Sequence, residues 1–600
     1  MISPGEEYQS RLQRWSELES SQRARSRQLG NARLATGIAA VAIAAISVGV
    51  AWISAWWLLA PVAVFIALAM RHDSVDRTLS QAVRAVKHYG LALARVQNHW
   101  IGTGNQGARF ADPKHVYAED LDLFGRGSLF ELLSTARTST GERTLAEWLL
   151  APASLPQARA RQEAVAELRP RIDLREELAL MGEDIRAAVD DASLAKWGAS
   201  EAVGFFPGAR MVAAVLALAA AIAVAGYFAQ AFSLRPLLYV ILAEFIFSFA
   251  ARDSVQHVAS AVNTPARELR LLALLLERLE RETFSSAALT QLQRGLVVDG
   301  QRATDQIRRL ERLVDRLDWA RNQFFRALAA PLLWIPQFAM AIENWRAQCG
   351  SHIGEWVRAV GEFEALGSLA GFAYERPEAV LPELADSPAP LFEATALTHP
   401  LIPPAESVAN DVNLGEVTHG GAARLWMVSG SNMSGKSTLL RAVGLNAVLA
   451  WAGAPVTAQR LRLSRLDLGA SLRTNDSLAD HRSRFYAEIS RLRDIVDLSK
   501  QGRPVLFLLD ELLSGTNSHD RRIGAGALLR GLVERGAIGM ATTHDLALAE
   551  IATALNGQAA NVHFEDHLEG GEIRFDYQLR DGVVQRSNAL ALMRAVGLDV

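Results

Sequence analysis

The chain has 600 residues, 50% of them hydrophobic and 21% charged, with a formal net charge of −3. That length implies several domains, and the near-neutral balance excludes the global basic footprint of a protein held to nucleic acid by bulk charge. A single cysteine, Cys349, excludes an internal disulfide and fits a reducing compartment.

Residues 1–33 read as a basic cytoplasmic N-terminal segment, with Arg23, Arg25, Arg27 and Arg33 close to its end. Leu34 to Met70 then runs for 37 residues without a charge. This is too long for one span and about enough for a helical hairpin across a bilayer, turning near Ile53-Ser54. Trp52, Trp56 and Trp57 would lie at the far interface, and Arg71 and Arg77 follow the second arm, so both ends are expected in the cytoplasm. Residues 75–204 carry helical periodicity with short breaks. A second apolar hairpin is expected over 205–251, with Arg235 at its turn and Glu244 inside a short second arm. An acid at that depth is costly, so Glu244 should face another helix or mark a shallower insertion. Residues 255–380 follow as charge-laced helices. Leu271, Leu272, Leu274, Leu275 and Leu279, then Ile307, Leu310, Leu313 and Leu317, recur at helical spacing among interleaved acids and arginines, which predicts long antiparallel or coiled helices with solvated faces. Pro377 to Pro404 is proline-rich and reads as the joint to a last domain, 385–600.

That domain carries the chemistry. Gly430-Ser431-Asn432-Met433-Ser434-Gly435-Lys436-Ser437 has the spacing G-x-x-x-x-G-K-[ST], in which backbone N–H groups wrap a phosphate, Lys436 reaches the β/γ oxygens and Ser437 holds Mg²⁺. Arg424 to Ser429 reads as a buried strand entering the loop, and Thr438 onward as the helix leaving it, whose N-terminus favours phosphate. Downstream, the apolar run Val505 to Leu509 ends in Asp510-Glu511. A buried parallel strand would deliver both carboxylates at its C-terminal edge, Asp510 for Mg²⁺ and Glu511 as general base toward water. A third strand, Ile538 to Thr542, ends at Thr543-His544, which places His544 to sense the γ-phosphate. Together these residues predict an ATPase using ATP and Mg²⁺, with Glu511, Lys436 and His544 as its catalytic groups.

Here the chain resembles the MutS family of DNA mismatch-repair ATPases. Gly430 to Thr438 is similar to that family's G-P-N-M-G-G-K-S-T loop, and the Asn432-Met433 pair is much more specific than the generic pattern. Thr398-His-Pro-Leu401, Ala409 to Leu414 and Pro455 to Ala458 resemble the flanking segments. Asp510-Glu511-Leu-Leu-Ser-Gly-Thr-Asn-Ser518 resembles the D-E-x-x-x-G-T stretch, and Thr542-Thr-His544 the A-T-H switch. Phe575 to Leu579 through Gly582 to Ser587 is similar to the closing strand and helix. Upstream, Gly127 to Leu133, Thr138 to Gly141 and Ala160 to Val165 resemble the start of the helical core. With the two transmembrane helical hairpins read from hydropathy, the resemblance implies a multidomain α and α/β protein that has an α-helical MutS-like core and lever and a C-terminal phosphate-loop ATPase domain of ABC type. It also implies a homodimer closed by ATP, with Asn517 and Ser518 reaching across to the other protomer's nucleotide. Gly430, Ser431, Asn432, Met433, Ser434, Gly435, Lys436, Ser437 and Thr438 would contact the nucleotide, and Ser437 and Asp510 the metal.

Departures limit what carries over. The region where this family reads mismatches through an F-x-E motif is occupied by the arginine-rich segment and the first hairpin, and the second hairpin interrupts the core. The resulting expectation is a multi-pass ATPase of the cell inner membrane, with its core and ATPase domain in the cytoplasm, acting on mismatched or branched DNA. A membrane-bound scaffold or signalling ATPase with a protein partner is the alternative. An ABC-type transporter is a weaker one, because the Leu513-Ser514-Gly515 signature follows the Asp510-Glu511 strand instead of preceding it.

Overall fold

In the computed structural model, which describes residues 2–600 except 50–53, 182–189, 299, 321–324, 326–327, 416–422, 432, 473–483, 545, 556, 570–571 and 585–600, the chain opens with a helix from Pro4 to Gly49. Proline suits the first helical position, and Ser3 and Glu6 cap it reciprocally: Glu6 N donates to Ser3 Oγ at 3.2 Å and Ser3 N to Glu6 Oε2 at 2.9 Å. The basic segment expected to stand apart is therefore part of the first hairpin helix. Good helix formers and the i,i+4 pairs Glu7–Arg11 and Glu19–Arg23 carry the helix through it. The return helix, Leu59–Val96, packs along the first and buries Ala82, Ala85, Tyr89 and Ala92 at helical spacing. Apolar side chains nearer the tip point outward, and Trp56 is 77% exposed. The predicted turn at Ile53-Ser54 falls partly outside the described residues, and a short 3₁₀ turn, Ala55–Leu58, follows it.

The chain divides into two units: Met1–Ser134, Arg169–Leu180 and Gly371–Val600 form one, Thr135–Leu168 and Met181–Ala370 the other. In the first unit, the base of the hairpin is closed by Tyr8, Tyr89 and Ala92, with Leu12, Trp15, Ile172 and Tyr374 packed around them. Arg95 grips Glu375 with two hydrogen bonds of 2.7 and 2.6 Å, and Tyr8 adds a third at 3.4 Å. Residues 97–128 are mostly irregular, a correction to the expected helical run. Gly102, Gly107, Gly125 and Gly127 all have positive φ there, which breaks any helix. This segment is tied to the strand Asp467–Ser471 and its surroundings: Asp120 Oδ1 accepts from Leu472 N at 2.7 Å, Val116 O accepts from Ala470 N at 2.9 Å, and Arg441 donates to Asp120 O at 3.2 Å.

The other unit is helical. Its apolar hairpin comprises Ala209–Phe228 and Leu234–Ala261. Arg235 stands in the first turn of the second helix instead of in the connection, and that arm runs ten residues past Ala251 because Val255 and Val258 continue its buried face. Glu244 is buried on the face that carries Phe247 and Ala251, and one of its oxygens has no hydrogen-bond partner. Among the described residues, four helices, two in each hairpin, are long and apolar enough to cross a membrane. Beyond the second hairpin, Asn263–Arg281 packs on Ala303–Trp319. The ion pairs Arg270–Glu311 and Arg308–Glu277, both 2.8 Å, make the two antiparallel. Between them lies a two-residue hairpin, β1 (Val297–Val298) and β2 (Gln301–Arg302). The helix Trp334–Glu375 supplies Arg346, whose guanidinium pairs with Glu343 at 2.5 Å and donates to the carbonyls of Ser200 and Glu201 at 2.5 and 2.8 Å. The residues leading into the second hairpin are thereby fixed.

The remainder of the first unit is two sheets. β3 (Glu383–Leu384), β4 (Leu391–Leu397), β5 (Asn410–Gly415) and β7 (Arg460–Leu463) form one, in the order β3-β7-β4-β5. Two of these strands lie in the proline-rich stretch expected to be a joint. The prolines fall between strands, where the missing N–H costs no ladder bond. The second sheet contains β6 (Leu425–Ser429), β8 (Asp467–Ser471), β9 (Val505–Leu509), β10 (Ile538–Thr543), β11 (Ala559–Glu569) and β12 (Glu572–Asp581), in the order β12-β11-β6-β10-β9-β8. All neighbours are parallel except β11 and β12. β6, β8, β9 and β10 are buried along their whole length, and β9 accordingly reads as an unbroken apolar run without alternation.

Candidate functional site

The order of the parallel strands builds the site. β6 enters the glycine-rich loop, β9 ends in the two carboxylates, and β10 lies between them, so three C-terminal strand ends meet at one edge of the sheet. The loop turns through Gly430 at φ +149° and Gly435 at φ +103°, conformations that L side chains rarely adopt. A β-carbon at Gly430 would stand 2.8 Å from Ser434 Oγ, and one at Gly435 would stand 3.1 Å from the Tyr577 ring. Gly435 is the N-cap of the helix Lys436–Ala452.

Lys436 is buried inside the loop. Its ammonium donates to Gly430 O at 2.8 Å and Ser431 O at 2.7 Å. Burial pulls it below the usual lysine range, and the Asp510 and Glu511 carboxylates act in the opposite direction. Ser437 Oγ donates to Asp510 Oδ2 at 2.5 Å, joining the loop helix to the end of β9. Asp510 Oδ1 accepts a short hydrogen bond from Thr542 Oγ1, and that hydroxyl accepts the Glu511 N–H at 2.9 Å. Glu511 sits at φ +47°, a left-handed conformation that costs a residue with a β-carbon about 1–3 kcal/mol. His544 follows β10, with Nδ1 4.0 Å from Glu511 Oε1.

A cavity of about 600 Å³ opens over the loop. Met433, Gly435, Lys436, Ser437, Thr438 and Glu511 line one side of it. His399, Ile402 and Val408, from the connection between β4 and β5, and Asn410, the first residue of β5, line another, with Phe564 and Tyr577 from β11 and β12. Burial pushes His399 down to about 4, helped by the Arg441 guanidinium, so the ring presents a neutral wall. Asn410 fixes that wall to β12: it donates to Tyr577 O at 3.0 Å and accepts from Leu579 N at 2.7 Å. The chemistry of the cavity is thus divided, with cation, hydroxyl and carboxylate at the loop and mostly apolar or neutral groups opposite, Glu406 being the exception.

The predicted residues are placed unequally. Lys436, Ser437, Asp510 and Glu511 come together, with His544 at the edge of the group. Gly430, Ser431 and Ser434 shape the loop behind the cavity, and the Met433 side chain is 84% exposed at its rim. Asn432 lies outside the described residues. Asn517 caps the helix Ser518–Glu534, accepting from Asp520 N at 2.9 Å, and within one chain neither Asn517 nor Ser518 lines the cavity. The loop before them is held firmly: buried Glu488 accepts the Leu513 N–H at 2.5 Å, and Arg521 donates to the carbonyls of Leu513, Ser514 and Thr516. His399, Asn410, Tyr577 and Thr542 carry no role that local spacing predicts, although each lies in a segment that resembles the family.

Residues 426–599 match the family model of MutS domain V and residues 117–498 that of MutS domain III. The second match spans more than half of the chain, and the chain belongs to the MutS family. It is 36% identical over 209 residues to the endonuclease MutS2 of Thermus thermophilus, covering 34% of this chain and 26% of that one. It is 37% identical over 180 residues to the DNA mismatch repair protein MutS 2 of Haloarcula marismortui, covering 29% and 18%. To the DNA mismatch repair protein MutS of Dinoroseobacter shibae it is 31% identical over 259 residues, covering 41% and 28%. The chain therefore spans only about a quarter or less of the length of these relatives.

Proposed function

We propose that this chain is a membrane-anchored ATPase of MutS type that binds and hydrolyses ATP to close a homodimer, acting on mismatched or branched DNA. The observation that carries the reading is the Ser437–Asp510 contact, which joins the loop and the carboxylate strand around one cavity beside Lys436 and Glu511. The polyphosphate would lie along the loop, where Lys436 would exchange its two carbonyl partners for β/γ oxygens, and the nucleoside would lie toward His399, Ile402 and Tyr577. The hydroxyl of Ser437 and the carboxylate of Asp510 are hard oxygen donors, too few to enclose an ion, which suits Mg²⁺ with its retained waters. Bound there, Mg²⁺ would offset charge on the β- and γ-phosphates. Glu511 would accept a proton from the attacking water, and His544, close to Glu511, would sense the γ-phosphate. Asn517 and Ser518 are exposed at a helix N-terminus, where they would meet the nucleotide of a second protomer.

Anchoring rests on the four apolar helices and on the arginines that flank the first pair, which favour a cytoplasmic base at the inner membrane. Membranes washed at high pH are expected to retain the full chain; quantitative release into the wash would remove the anchor from the reading.

The DNA part is tested by ATP hydrolysis of the detergent-solubilised chain with homoduplex, mismatched and branched DNA, against Glu511→Gln as blank. Hydrolysis above the blank and stimulated by one of these duplexes is the expected result. A rate indifferent to all of them favours a second reading, a membrane ATPase directed at a protein. The core offers an observation for it: Arg270, Arg281 and Arg308 are each paired with a glutamate, which leaves them less available to phosphates.

A further inference from the structure

Thr542 is 0% exposed on a strand interior, where valine would pack equally well and a buried hydroxyl is costly unless it is used. It is used twice. An amide can only donate and an ionised carboxylate can only accept, so the directions run from the Glu511 N–H to Thr542 Oγ1, and from its single proton to Asp510 Oδ1. One hydroxyl thus holds the backbone of one candidate catalytic residue and the side chain of the other. Glu511 needs such a hold, because its φ of +47° lies where a residue with a β-carbon does not rest unaided. Asp510 needs it as well: its other oxygen faces Ser437, and only a fixed carboxylate plane presents that oxygen to the loop.

We propose that Thr542 is a positioning residue for ATP hydrolysis: its hydroxyl locks Glu511 in the left-handed conformation that turns the carboxylate toward the cavity, and sets the plane of Asp510 for the metal. The inference rests on the ATPase reading above. It also gives β10 a double duty, since the strand that supplies Thr542 leads directly into His544, two residues later. A change in the order of that strand end would reach both carboxylates at once.

The test compares Thr542→Val, which keeps the shape, with Thr542→Ser, which keeps the hydroxyl, in the full-length protein. Steady-state turnover, affinity for a fluorescent ATP analogue, and the Mg²⁺ concentration for half-maximal rate are measured for each. Thr542→Val should lose roughly 10- to 100-fold in turnover, the weight of a charge-assisted hydrogen bond, and should need more Mg²⁺. Its nucleotide affinity should change by less than about threefold, because the group it loses lies behind the carboxylates and not on the loop. Thr542→Ser should stay within about threefold of wild type throughout. Wild-type turnover and Mg²⁺ dependence in Thr542→Val overturn the proposal, as does an equal loss in both variants. Should Thr542→Val fail to fold, Thr542→Cys, a weak donor of similar size, takes its place with the same expected loss. Absence of hydrolysis in the wild type overturns the ATPase reading and this inference with it, whereas an active wild type beside an unaffected valine variant overturns the inference alone.

Discussion

Glu511→Gln is expected to bind ATP like the wild type and to lose turnover by roughly 10²–10⁴-fold, the range for removal of a general base. The amide has the same shape as the carboxylate, and the left-handed backbone at this residue is held through its N–H, which the substitution leaves in place. What changes is the group that can take a proton. His544 is 4.0 Å away and half-exposed, so its imidazole has no fixed path to the water that Glu511 would address. ATP should therefore stay intact on the variant, and the closed dimer should accumulate in light scattering when ATP is added with Mg²⁺. Retained turnover would remove the base from Glu511. Loss of ATP binding together with turnover would assign the residue to the binding of the nucleotide.

The groups expected from the sequence to meet are those whose positions follow from local spacing. Lys436 and Ser437 sit at fixed offsets from Gly430 and Gly435, and Asp510 ends an apolar run long enough to be a buried strand. Thr542 could not be assigned in the same way. Its partners are 31 and 32 residues away, and they become partners only because β10 inserts between β6 and β9, a strand order that no local pattern encodes. His399 and Tyr577 were hidden for the same reason, reaching the cavity from a different sheet and from the antiparallel edge. At the fold level, hydropathy marked both hairpins but not their helical limits. The first helix continues unbroken through the polar residues before Leu34, since a helix is ended by caps and breakers and not by polarity. Conversely, residues 97–128 share the polarity of their helical neighbours, and their glycines and Pro113 distinguish them.

Glu375→Ala is expected to destabilise the hairpin base by about 3–5 kcal/mol, the cost of leaving one member of a buried ion pair without its partner. Glu375 is the last residue of the helix Trp334–Glu375, and both of its oxygens accept from Arg95 near the end of the first hairpin. The two side chains are 4% and 12% exposed, so water cannot replace the lost carboxylate without opening the packing of Tyr8, Tyr89 and Tyr374 around it. The next residue, Arg376, donates to Asn98 at 2.7 Å, and four residues further on Val380 pairs with Val456, so the pair lies where hairpin and sheets are joined within one unit. The alanine variant should unfold at lower denaturant in detergent, and a protease should find the hairpin base first. The double replacement Arg95→Met with Glu375→Met separates charge from packing. Exchange of both ions for apolar groups of similar volume is often neutral or stabilising, so the double variant should recover most of the loss. If it unfolds as readily as Glu375→Ala, the charges themselves hold the hairpin to the sheets, and the aromatic cluster alone is too weak to do so.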